Sequence, residues 1–269
     1  RVVHFTVLLA IACFARFGHA YEPDTHALIS ARAVQASVLK QQSVLNDMGL
    51  QYSITDNRQK FSNGRGRERN VVELFRDGAE FEDSFLRPGN HFYNPLTGQG
   101  VSGFSSSPDW AIDGAGDQST LKFSFRAARE YLFYALTDRS QSYRQGQFGM
   151  MFQSLGQVIH HIQDMAQPQH TRMDLHCDFP PCALVGRYAP SLYEEYTNRD
   201  GIRDNLPFPG YLPVYGPADV QTFNNARKFW QTPDGKGMAD YSNRGFVSAG
   251  TNFDRPGLFP SPVLDASRT

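Results

Sequence analysis

The sequence predicts an all-α fold: a single mainly helical domain with long connecting loops. Three observations lead there. Three long stretches carry helix-capping residues at their starts or apolar residues at steps of three and four. The segments between them are rich in Gly, Ser, Asn, Asp and Pro. No internal repeat or low-complexity run interrupts this pattern. With 269 residues the chain is long enough to bury a sizeable core.

The first segment, "VVHFTVLLAIACFARFGHA", is a short apolar run with Gly18 and Ala20 placed for signal-peptidase cleavage. Residues 1–20 are read as a signal peptide and residues 21–269 as the mature chain, with Tyr21 first and a C-terminus that reads as truncated. The expected location is secreted or periplasmic. A rival reading makes "AIAC" a lipoprotein-type site with Cys13 as the anchor. The run is too short to span a bilayer, and no other segment is apolar over that length.

The whole chain carries a formal charge of −1, and loss of Arg1 and Arg16 makes it −3. No basic field exists to hold a polyanion, so no stable nucleic-acid partner is expected. The mature part keeps Cys177 and Cys182, in "CDFPPC", which in an oxidising compartment could close a local disulfide or remain two thiols near a turn.

"YEPDTHALISARAVQASVLKQQSVLNDMG" reads as one long helix, capped by Asp24 or Thr25 and ended by Gly49 in the left-handed conformation. Residues 51–120 read as ordered loop with one short helix at "ERNVVELFRDGAEF". A second long helix runs from Ser119 or Thr120 to about Asp138. The third runs from about Gln145 to Met165, where Phe148, Phe152, Leu155, Ile159 and Ile162 form one apolar stripe. Further helical segments are expected at "SLYEEY" and near "VQTFNNARKFW".

The chemistry centres on "HHIQDMAQPQH". His160 and Asp164 are one turn apart on a helix, so they share a face and can grip one ion, and Asp164 can bridge to a second. Pro168 then ends the helix and swings His170 toward the same cleft. A bare H-x-x-x-D pair is common on solvated helices; helix, break and second histidine together are far more specific. Neighbouring His161 lies 100° round the helix and points elsewhere.

This string resembles the signature of the secreted zinc-dependent phospholipases C of bacteria, which are related in fold to the three-zinc single-strand nucleases of fungi. "RDGAEFEDSFLRPGNHFYNPLTGQG" is similar to the family segment with an aspartate fourteen residues before a histidine, here Asp77 and His91. "THALISARAV" resembles the first helix, with His26, and "SLYEEY" the segment bearing an acidic ligand, Glu194. The resemblance covers about residues 21–195.

It implies two to three Zn2+ ions. One would take Asp77, His91, His160 and Asp164; a second His26, Asp164 and the terminal amine and carbonyl of Tyr21; a third His170 and Glu194. Asp77 would serve as ligand, as base orienting the attacking water, or as both. The family places a histidine four residues before the acid of the third site, where this chain has Pro190. His176 is then the replacement ligand, or that site is weakened or empty. The implied activity is phospholipase C, releasing diacylglycerol and a phosphorylated head group at membrane surfaces. The alternatives are a single-strand nuclease or nucleotidase on the same cluster, or a non-catalytic zinc- or lipid-binding protein. Gly78 and Pro88 stand where choline-binding members carry aromatics, so choline is not assumed.

Overall fold

A computed structural model describes residues 22–62, 66–84, 87–119, 121–176, 191–205, 224–246 and 248. Tyr21, the leader, the Cys177–Cys182 pair and Pro190 lie outside these residues.

Helix α1 spans Pro23–Ala36, with Pro23 in its first turn and Glu22 as N-cap in place of Asp24 or Thr25. The single long helix expected up to Gly49 is instead broken at Ser37. The Ser37 hydroxyl donates to the Val34 carbonyl and accepts from the Leu39 amide, replacing helical bonds with local ones. A 3-10 turn and helix α2 (Gln42–Asp47) follow, and Gly49 then takes the left-handed conformation at φ 76°.

The region read as mostly loop contains more order than expected. Strands β1 (Phe61–Ser62) and β2 (Glu68–Arg69) pair antiparallel, with Phe61 opposite Arg69. Helix α3 (Val71–Glu82) starts with a capping box: the Asn70 side chain accepts from the Glu73 amide, and Glu73 accepts from the Asn70 amide. A 3-10 turn at Arg87–Asn90 leads into His91, and helix α4 covers Ser107–Asp113.

Helix α5 (Phe125–Thr137) begins later than expected, because Ser124 is the residue whose hydroxyl accepts from the Ala127 amide. Helix α6 (Gln141–Asp164) begins a turn earlier than expected, capped by Ser140. After the break come α7 (Pro168–Thr171), α8 (Leu192–Thr197), α9 (Asp200–Arg203) and α10 (Met238–Gly245). In the "VQTFNNARKFW" segment the described part holds a 3-10 turn, Ala226–Phe229. The described chain is all-α apart from the small β1–β2 pair. No described helix is long and apolar enough to cross a membrane.

Helix α6 is the central element, with α3 and α5 packed along it and α1 against α3. One core joins Phe148, Met151 and Phe152 of α6 to Phe61, Leu74, Phe75, Val34 and Leu45, with Leu155 and Ile159 at its edge. A second joins Val158 and Met165 to Tyr93, Ala111, Trp230 and Ala239, with Ile162 beside it. The α3–α6 crossing is close because both helices offer glycine there. A Cβ at Gly78 would stand 2.3 Å from the Gln153 carbonyl oxygen, and one at Gly156 would stand 2.4 Å from that of Phe75. No aromatic fits at Gly78, so that position serves helix packing.

Candidate metal centre

The close crossing brings the end of α3 against the last turns of α6, where apolar packing gives way to titratable side chains. His26, His91, His160, Asp164 and His170 are fully buried, and Glu194 nearly so. They come from α1, the turn after α3, α6, α7 and α8.

Three of the histidines are oriented by acceptors on one ring nitrogen. His160 Nδ1 lies 2.8 Å from the Ala79 carbonyl oxygen, which requires the Nδ1–H tautomer and leaves Nε2 a lone-pair donor. His26 Nδ1 is held at 2.5 Å by Gln163 Oε1, itself oriented by the Gln163 amide donating to Ser30. His170 Nδ1 lies 3.3 Å from the His91 carbonyl oxygen. Each ring thus offers Nε2 inward, the arrangement that metal-binding histidines use.

These nitrogens converge with carboxylates. His160 Nε2 is 3.3 Å from His91 Nδ1, 3.4 Å from Asp83 Oδ1 and 3.4 Å from Asp164 Oδ2. His91 Nδ1 is 3.0 Å from Asp164 Oδ2 and 3.6 Å from Asp83 Oδ1. The other Asp164 oxygen, Oδ1, is 3.3 Å from His26 Nε2, so Asp164 faces both groups, as a bridging carboxylate would. His170, His176 and Glu194 form a further group, with His176 Nε2 2.6 Å from Glu194 Oε1. The Gln167 amide also donates to that oxygen at 2.8 Å.

Both Asp164 oxygens and His170 Nε2 are buried without an aligned hydrogen bond. An ionised carboxylate in that state is costly unless a cation compensates it. Burial opposes ionisation of Asp164, but His160, His91 and His170 outweigh it and hold the carboxyl well below its ordinary range. Burial likewise opposes the imidazolium of His91, yet Asp164, Asp83 and Glu82 raise its pKa. For His170, burial prevails and pushes the pKa well down. The buried groups His26/His160/Asp164, Asp83/His91/His160 and His170/His176/Glu194 could each hold a metal ion.

Of the residues expected at the site, His26, His91, His160 and Asp164 come together, and His170 and Glu194 meet beside them. Asp77 does not join them. It lies mid-way along α3, partly exposed, with Oδ2 3.1 Å from Arg69 Nε. The acid beside His91 and His160 is Asp83, the C-cap of α3, eight residues before His91. The reason is helical phase: the α3 face that meets α6 carries Gly78, and Asp77 is turned about 100° away from it. The acids of this segment that face His91 stand at the helix end, Glu82 as its last residue and Asp83 as its C-cap. Of the two uncommitted histidines, His176 is the one beside Glu194, while His161 turns to Glu82.

No family model matches this chain, and no curated protein or solved structure matches it either.

Proposed function

We propose that the chain is a secreted or periplasmic zinc-dependent phosphodiester hydrolase of the phospholipase C type. The observation that carries the reading is the convergence of Asp83, His91, His160 and Asp164. Ligands about 2.0–2.1 Å from a tetrahedral zinc stand about 3.3 Å from one another. The separations of His91 and His160 from each other and from the two carboxylates run from 3.0 to 3.6 Å. His26 with the second oxygen of Asp164 would hold a second ion, and His170, His176 and Glu194 a third.

Bound zinc supplies Lewis acidity to a phosphodiester oxygen and acidifies water from a pKa near 16 toward about 7. The chain's part is to hold the ligands in their donor tautomers through Ala79, Gln163 and the His91 carbonyl, and to exclude bulk water from them. Asp83 takes the ligand role expected of Asp77, and Asp77 is assigned none in the cleft. The phospholipase assignment rests on the "HFYNPLTGQG" text and the slightly acidic chain, which suits a lipid phosphodiester better than a polyanion.

The test is to purify the protein with zinc and offer phosphatidylcholine, phosphatidylethanolamine and single-stranded DNA in parallel. Diacylglycerol release is the expected result. Nucleotide release alone would replace the lipid substrate with nucleic acid, and zinc uptake without turnover would leave a binding protein.

A further inference from the structure

The group of His170, His176 and Glu194 draws two of its three members from one short stretch of chain. His170 is held from outside that stretch: its Nδ1 lies 3.3 Å from the His91 carbonyl oxygen, and its ring stacks on Phe92 at 4.4 Å between centroids. Glu194 is held by the Gln167 amide and by its place in α8, where its backbone amide donates to Ser191 Oγ. His176 is oriented from within the stretch, with Nδ1 3.2 Å from the Asp174 carbonyl oxygen. Its position therefore depends on how the chain turns between α7 and Asp174.

Met173 makes that turn with φ 55°, and it is the only described residue other than glycine with a positive φ. An L side chain occupies the left-handed region at a cost, and it stays there where the surroundings fix the chain around it. One constraint is local: the Asp174 amide donates to the Gln169 carbonyl at 2.9 Å and closes the turn.

The other constraint comes from α10. Arg172, fully buried, donates through Nη1 to the carbonyls of Asn243 at 2.5 Å and Phe246 at 2.9 Å, at the end of that helix. Carbonyls in the last turn of a helix have no partner within it, and a cation there also meets the negative end of the helix dipole. Asn243, fully buried as well, returns the contact: its Nδ2 donates at 2.7 Å to the carbonyl of Thr171, the last residue of α7. The two short helices thus satisfy each other's ends. Helix α10 is in turn anchored to the second core. The Ala239 amide donates to the Trp230 carbonyl at 3.0 Å, and Asp240 Oδ2 accepts from the Thr232 amide at 2.8 Å.

We infer that Asn243 is a positioning residue for the third ion: together with Arg172 it fastens α7 to α10, holds Met173 left-handed and so presents His176 beside His170 and Glu194. Asn243 does not itself belong to the ligand group. The inference rests on the metal-centre reading above.

The test measures the zinc retained per chain against graded chelator, and the melting temperature of the metal-free protein. The full-length proteins compared are wild type, His176→Ala, Asn243→Ala, the double variant of these two, and Asn243→Ala with Met173→Gly. His176→Ala is expected to lose one ion that wild type retains, and Asn243→Ala to bind that same ion about 10–100-fold more weakly. Asn243→Ala added to His176→Ala is expected to cause no further loss. Met173→Gly is expected to recover part of the affinity lost in Asn243→Ala, because glycine takes the left-handed conformation without support. A role confined to folding would lower the melting temperature and either leave that ion's affinity unchanged or weaken every ion alike, and each result would overturn the inference. Failure of Met173→Gly to recover any affinity would do the same. Should Asn243→Ala not fold, Asn243→Asp, which keeps the volume and loses the donor, is judged by the same criteria. Wild type that holds zinc no better than His176→Ala would overturn the inference and leave the hydrolase reading standing. Wild type that takes up no zinc would overturn both.

Discussion

Two stretches of α6 lie about 12 Å apart, from Phe152 to His160, and are equally buried, yet they are held by different forces. Around Phe152 the ring contacts are aromatic: Phe61 at 5.9 Å, Phe75 at 6.1 Å and Phe148 at 6.3 Å between centroids. These rings need no hydrogen bond, and shape and volume fix them. The side chains of His160 and Asp164 have polar atoms that must find partners, and their geometry is set by acceptors such as the Ala79 carbonyl. Burial alone therefore does not mark the candidate site. What marks it is burial of carboxylate oxygens whose hydrogen bonds are missing.

Substitutions can break this comparison at either end. The largest stability effect belongs to the aromatic end. Phe152→Ala should cost about 3–5 kcal/mol in denaturant unfolding while the refolded protein still takes up zinc. Loss of zinc uptake by folded material would show that the two ends are not separable.

At the polar end, Asp164→Ala should reduce zinc retention and phosphodiester hydrolysis by more than about 100-fold. Chelation should lower the melting temperature of wild type, since bound metal at a hundredfold excess over Kd is worth about 3 kcal/mol, and should barely move that of the variant. Undiminished turnover in Asp164→Ala would falsify the metal-centre reading.

A smaller effect separates helix formation from site formation. Asn70→Ala removes the capping box that starts α3 and should cost about 1 kcal/mol without altering metal affinity. The smallest effect is the sharpest on ligand identity. Asp77→Ala breaks a partly exposed pair with Arg69 and should change stability by no more than about 1 kcal/mol, with zinc content unchanged. Asp83→Ala should deplete it. The reverse pattern would restore Asp77 to the centre.

Much of the site was legible before any coordinates. His160 and Asp164 lie one turn apart, and the Pro168 break brings His170 back, because helical pitch and the proline ring are local properties. His26 and Glu194 were legible from short motifs. Asp83 was not, since counting fourteen residues back from His91 leads to an acid inside a helix whose phase turns it away. Of the fold, α3, α5, α6 and α8 were readable from capping and periodicity. The break at Ser37 and helices α4 and α10 were not: the first depends on a serine competing for backbone bonds, and the other two are short elements without a long apolar repeat.

Sequence by itself determined the all-α character, the central helix and the pairing of His160 with Asp164, since each follows from spacing along one chain segment. Tertiary structure alone decided which acid meets His91, that His176 stands beside Glu194, and that Glu82 is locked by four donors from Arg87, Trp110 and His161. Those choices depend on how closely two helices approach at Gly78 and Gly156, and a distance between segments far apart in sequence is set only when they pack.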